Sequence, residues 1–224
     1  VGFISDSKPE RDSTSFYAQG TLHYSDTRRS VFGLRYTEDE VYSAVTNYYG
    51  REGTDILELE SDKVTGRLVL EHDLNDSTML FGSFTKGFKP GGSNLTYGTE
   101  AVVAPIVVLP IFNEEIVNAY EVGLKTDLAD GRVRLNAAAF YYDYKNLQVT
   151  RAAGDGDTPT LVTQNAADAD VLGFDMDLTW LATDSLVLSG GFSALDSQYK
   201  DYDASAKVPK IELGTGAMGY GDIF

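Results

Sequence analysis

The sequence contains no cysteine. Disulfide frameworks, cysteine metal centres and thiol nucleophiles are therefore excluded. It has two histidines, His23 and His72. They lack any ligand spacing, so no metal site is expected. Long hydrophobic runs are also missing. The longest, "AVVAPIVVLPIF" from Ala101 to Phe112, is interrupted by Pro105 and Pro110. It falls short of the roughly 20 apolar residues that a spanning helix needs. Positive charge is scarce, with 18 Lys plus Arg against 34 Asp plus Glu and a formal charge of -16 over 224 residues. Nucleic acid, whose phosphates demand a basic surface, is not an expected partner. The opening "VGFISDSKPERDS" has no basic segment followed by an apolar core. No signal peptide is expected in it.

Alternation is what the sequence does have. "SFYAQGTLHY" places Phe16, Ala18, Gly20, Leu22 and Tyr24 on one face, with Tyr17, Gln19, Thr21 and His23 on the other. "SVFGLRYT" sets Phe32, Leu34 and Tyr36 against Arg35 and Thr37. "VTGRLVLEHDL" sets Leu68 and Leu70 against Arg67 and Glu71. The same pattern recurs at Tyr120, Val122 and Leu124 against Glu121 and Lys125. It recurs again at Leu135 to Tyr141 against Arg134, and at Leu172 to Trp180 against Asp175 and Asp177. Leu186 to Phe192 complete it. A period of two denotes strands, not helices. "MLFGSFTKGF" is strand-like, but its aromatics fall on both parities and its faces are not assignable from sequence. The sum is eight strands.

The connections alternate in length. "SDTRR", "NDS", "ADG" and "ATDS" are tight turns with hairpin chemistry. Between them lie long connections at 38–62, 89–114 and 148–166. Such loops are uncommon in compact domains and are usually functional. Strict short–long order puts every long loop at one end of an up-and-down sheet. The expected fold is all-β: an antiparallel up-and-down transmembrane β-barrel, partial here, with an apolar lipid face and a polar interior. Tyr24, Phe32 and Trp180 would form the aromatic girdle beside the tight turns, and Tyr120 and Tyr141 the opposite one. A soluble β-sandwich is the alternative reading.

No catalytic constellation is visible. Asp175 and Asp177 lie one pleat apart but suit a solvated face. No G-x-S-x-G elbow and no phosphate-binding glycine motif occurs, and "GFKPGG" matches neither nucleotide pattern. The glycines of "FTKGFKPGGSN" instead read as a strand leaving the membrane, with Pro90 barred from the ladder and Gly91 and Gly92 allowing sharp turns.

Four stretches carry a family resemblance: "GLRYTEDE", "TGRLVLEHDLNDSTMLFGSFTKGFKPGGSN", "NEEIVNAYEVGLKTDLADGRVRLNAAAFYYDYKNLQV" and "NAADADVLGFDMDLTW". They resemble the barrel of TonB-dependent outer-membrane receptors, of the iron-complex type. The resemblance implies that residues 1–224 are an internal slice of a larger barrel, with plug domain, TonB box and closing strands elsewhere. The slice alone is expected to form an open curved sheet. The implied function is binding and import of a ferric siderophore or other iron complex, energised by TonB. No enzyme activity and no resident cofactor are implied, since iron arrives with its carrier. Outer-membrane lipid, lipopolysaccharide, the iron complex and the TonB system are the implied partners, and the bacterial outer membrane the implied location. A passive porin or adhesion barrel and a secreted carbohydrate-binding sandwich are the rival functions.

Candidate ligand-binding residues are Tyr48, Tyr49, Lys89, Asn94, Tyr97 and Phe112 in the long connections. Arg35, Arg67, Glu71, Glu121, Lys125, Arg134, Asp175 and Asp177 are expected to line the interior.

Overall fold

The computed structural model describes residues 5–47, 53–94, 101–103, 106–108, 111–153, 160–202, 209–211 and 218–220. Eight long strands form one antiparallel sheet: β1 (Ser5–Ser25), β2 (Arg28–Asn47), β3 (Gly53–Asn75), β4 (Thr78–Lys89), β9 (Glu115–Leu128), β10 (Val133–Ala153), β11 (Thr160–Thr183) and β12 (Leu186–Tyr202). Each pairs with its neighbour in that order, a simple meander. Within the connection after β4, a short ribbon pairs β5 (Gly92–Ser93) with β8 (Ile111–Phe112). Beyond it, β6 (Ala101–Val103) pairs with β7 (Ile106–Val108). A separate pair, β13 (Pro209–Ile211) and β14 (Met218–Tyr220), follows the sheet.

Three of the four tight turns share a chemistry. Thr27, Ser77 and Ser185 each donate a backbone N–H to the side-chain oxygen two residues earlier, on Ser25, Asn75 and Thr183. Such a side chain imitates a backbone turn. Each of these turns is flanked by a register shift, at His23/Ser25, Asp73/Asn75 and Leu181/Thr183. The fourth turn differs. Ala129, Asp130 and Gly131 adopt φ of 52°, 54° and 81°, and Arg132 N–H bonds the Ala129 carbonyl at 3.1 Å. This four-residue loop, closed by the Leu128–Val133 pair, runs through the left-handed region that Asp and Gly tolerate.

One face of the sheet is apolar and uncovered. Phe16 is 71% exposed and Val122 63%, and Leu34, Leu70, Leu172 and Trp180 are exposed with them. A water-soluble sheet does not leave such a surface bare. No second sheet packs on it among the described residues, so the sandwich alternative fails. Along β11 the apolar residues run from Leu172 to Trp180, about 26 Å at a strand's rise per residue. Tilted, that suits the apolar band of a membrane barrel. Three aromatics of that face meet across strands: Phe84 and Tyr120 are tilted at 5.1 Å between centroids, and Tyr120 and Tyr141 stack at 6.3 Å.

Register assigns the strand whose faces the sequence left open. Leu80, Gly82 and Phe84 oppose His72, Leu70 and Leu68, so they share the apolar face. Phe81 therefore points to the polar face, where its ring lies over Gly123. A Cβ at Gly123 would fall 2.6 Å from that ring.

The strands are much longer than the alternation suggested. The connections expected at 38–62 and 148–166 shrink to 48–52 and 154–159, because β2, β3, β10 and β11 continue through them. A membrane strand needs only about 9–11 residues to cross. The remainder stands clear of the apolar band, where apolar residues such as Val41, Leu59 and Val162 are interspersed with charged and polar ones and the period-two signal disappears. On the apolar side, the next outward position after Tyr36, Val64, Tyr141 and Leu172 is Glu38, Asp62, Asp143 and Asp170. Those carboxylates mark where the band ends.

Candidate functional site

The eight expected interior residues all lie on the polar face of the sheet. Arg35 holds Ser15 at 2.6 Å and Thr37 at 3.1 Å. Arg134 makes a paired contact with Asp127, at 2.8 and 3.1 Å. Lys125 stands 5.7 Å over the Phe81 ring. Asp175 accepts the Ser193 hydroxyl at 2.6 Å, while Asp177 sits opposite Asn136 and Gly191. Glu121 lies opposite Ser83 and Phe140. Arg67 packs its stem over Gly33. Glu71 accepts Arg29 Nε at 2.5 Å, and Arg29 also reaches Asp73 at 2.7 Å. Arg29 is thus a hub that sequence reasoning missed. Its opposition to Glu71 depends on the register between β2 and β3, which the sequence does not carry.

At the tight-turn end this face forms an open basin of about 710 Å³, lined by Asp26, Asp73, Asp127, Lys125, Arg134 and Asn136 among others. Its charges are mixed: Arg134 pairs with Asp127, and Asp73 with Arg29 beside it. Among the described residues no group of His, Asp and Glu is arranged to hold a metal ion.

At the other end, the neck of the connection between β4 and β9 is stitched to the wall. Gly91 and Gly92 are required there by close approach. A Cβ on Gly91 would lie 2.5 Å from the Phe112 carbonyl oxygen, and one on Gly92 2.7 Å from the Phe112 ring. Neither adopts positive φ, so the sharp turn expected of them is corrected to a crowded ribbon. Three amide side chains then tie this ribbon to β10 and β11. Gln148 Nε2 donates to the Pro90 and Asn113 carbonyls at 2.9 and 3.0 Å. Asn165 accepts Asn113 N–H at 2.6 Å and donates to the Asn113 and Asn146 carbonyls at 2.9 and 2.8 Å. Asn94 donates to the Thr163 carbonyl at 2.9 Å and accepts Thr163 N–H at 2.8 Å. On the opposite side Glu114 bridges to β3, ion-paired with Lys63 at 2.5 Å and bonded by Ser61 at 3.2 Å. A polar cleft of about 380 Å³ opens here between β3 and the neck.

Of the candidate binding residues, Lys89 ends β4 and is exposed, Asn94 is buried against Thr163, and Phe112 is half-buried over Gly92. Tyr48, Tyr49 and Tyr97 lie outside the described residues. Gln148 and Asn165 were missed by sequence reasoning. An amide in a polar strand extension carries no pattern of its own.

A charged cluster caps the apolar face beyond Tyr141. Lys200 pairs with Asp170 at 2.7 Å and Lys145 with Asp168 at 3.0 Å, and the Tyr141 hydroxyl donates to Asp170 at 2.7 Å. Above the apolar band, these bonds hold Asp170 below the usual carboxylate range, chiefly through Lys200 and then Tyr141. Asp168 is lowered chiefly by Lys145. Lys145 is raised in turn, first by Asp168 and then by Asp143.

Comparison with known proteins agrees with this geometry. The metal-pseudopaline receptor CntO of Pseudomonas aeruginosa is 26% identical over 192 residues, covering 84% of this chain and 25% of that protein. The ferric yersiniabactin uptake receptor FyuA of Yersinia pestis superposes with a TM-score of 0.68 at 22% identity, covering 92% of this chain and 31% of that one. The siderophore receptor PiuA of Acinetobacter baumannii superposes at 0.66 with 20% identity, covering 97% and 29%. The chain thus spans about a quarter of the length of the relative it matches in sequence, and under a third of the solved chains. The family model for the β-barrel of TonB-dependent receptors matches residues 2–221, and the chain belongs to that family.

Proposed function

We propose that the intact protein is an outer-membrane receptor that binds a ferric siderophore or related metal complex and imports it with energy delivered through TonB. The observation that carries this reading is the pairing of a bare apolar outer face with a charged inner face in a chain of this family. Relatives described as metal-pseudopaline and siderophore receptors support the ligand class. The apolar face meets outer-membrane lipid, and the carboxylates above it meet the lipopolysaccharide head groups. The polar-face residues Arg35, Arg67, Glu71, Glu121, Lys125, Arg134, Asp175 and Asp177 line the lumen, facing the plug or the ligand's route. Lys89 and Phe112, with Tyr48, Tyr49 and Tyr97, are proposed to contact the ligand from the rim. Asn94 serves the same rim by fixing its backbone. No covalent step is assigned and no resident cofactor is needed, because metal enters within the transported complex.

The test is uptake of radioactive iron, carried by siderophores extracted from an iron-starved culture, in cells bearing the intact receptor. Saturable uptake that disappears when TonB is deleted is expected. Uptake that persists without TonB would favour a passive pore, and no saturable uptake or binding would sink the metal-complex assignment.

A further inference from the structure

The connection between β4 and β9 is the longest interruption of the sheet, yet its two ends are fixed with unusual care. Its outgoing end is held at Pro90 and Asn94, its returning end at Asn113 and Glu114. The partners sit on three other strands: Gln148 on β10, Thr163 and Asn165 on β11, Lys63 on β3. None of these contacts is demanded by strand pairing. The main sheet already supplies the backbone partners of β4 and β9 up to Lys89 and Glu115.

The geometry is that of two reciprocal amide clips. An asparagine side chain carries a carbonyl acceptor beside an NH2 with two donor hydrogens, so it can clasp the N–H and C=O of one residue together. Asn94 uses both on the backbone of Thr163, and Asn165 uses both on the backbone of Asn113. Gln148 closes the gap between them by donating to the backbone oxygens on both sides of the neck. Its own backbone N–H is held by the Glu115 carboxylate at 2.9 Å. The glycines at 91 and 92 let the two ends of the neck approach closely enough for one glutamine to span them.

From this juxtaposition we propose that Gln148 and Asn165 are positioning residues. They mount the neck of the β4–β9 connection rigidly on β10 and β11, so that the connection starts and ends at fixed points on the rim. This rests on the receptor reading above, and deepens it by naming the residues that preorganise one binding loop without touching the ligand. A fixed mount reduces the ordering that binding would otherwise require. Losing it weakens capture while leaving the later transport step intact.

The experiment uses the intact receptor in outer membranes, with Gln148→Ala, Asn165→Ala and the double variant. Asn165→Asp is the graded control, since it keeps the acceptor for Asn113 N–H but loses both donors. Two readouts are taken. Amide hydrogen exchange of residues 89–94 and 111–115, measured without any ligand, is expected to rise at least tenfold in the double variant and by less in Asn165→Asp. Uptake of the radioactive iron–siderophore extract is expected to show at least tenfold weaker half-saturation at an unchanged maximal rate. Heat-modifiable migration of the folded barrel should be retained. Unchanged exchange at the neck overturns the mount. Faster exchange with unaltered half-saturation overturns its positioning role, and so does loss of the folded barrel in every variant including Asn165→Asp. If the wild-type receptor takes up no iron, the import reading fails while the exchange result still decides the mount.

Discussion

Gly91 and Gly190 show how differently one residue type is constrained. At Gly91 a methyl group would collide with the Phe112 backbone oxygen, whereas at Gly190 it would meet nothing within 4 Å. Gly91→Ala is expected to cost about 1–3 kcal/mol, as an overpacked site does, and to expose the neck to protease. Gly190→Ala should be neutral within about 0.5 kcal/mol. Urea unfolding of the intact receptor in vesicles, together with limited proteolysis, checks both. The "PGG" stretch was legible as a strand exit. Its cause was not, because the residue it must accommodate returns some twenty positions later. The same holds for Phe81. Its direction was ambiguous until pairing with β3 and β9 fixed the parity.

At the scale of elements, each strand has a lipid-facing parity and an interior one. Val122→Arg places a charge in the apolar band and should destabilise the intact receptor by about 2–4 kcal/mol. Ser83→Arg, on the interior parity beside Glu121, should cost far less. Equilibrium unfolding in lipid vesicles compares the two. The cluster of Lys145, Asp168, Asp170 and Lys200 above the band adds a pH dependence. Asp168 and Asp170 are lowered from 3.8, so their contribution is present above that value and fades as pH falls through the depressed range. Lys145 is raised from 10.5, so its contribution holds below that value and is lost as pH rises through the elevated one. NMR titration of the aspartate carboxyls in the intact receptor should show both midpoints below 3.8, and Lys200→Met should return that of Asp170 upward. The strand cores and tight turns were readable, since alternation and x-Asp-Ser/Thr spacing are local. The strand extensions were not, because beyond the bilayer neither face need be apolar.

For the whole molecule, the eight-stranded sheet is open. Among the described residues the outer edges of β1 and β12 carry no partner strand. Lipid cannot satisfy such edges, so membrane barrels close. The 224-residue chain expressed alone is therefore expected not to yield a heat-modifiable barrel in vesicles, whereas the intact receptor should. A folded, protease-resistant species from the isolated chain, with the gel shift of a closed barrel, would contradict this. Sequence alone determined the class of fold, the orientation of the strand cores and the family, because a period of two, turn chemistry and motif order are all carried by neighbouring residues. Tertiary structure decided how far each strand extends, which face Phe81 takes, and that Gln148, Asn165 and Asn94 clasp the neck. Those outcomes depend on register between strands distant in sequence. An amide side chain has no preferred partner until register brings a backbone within reach.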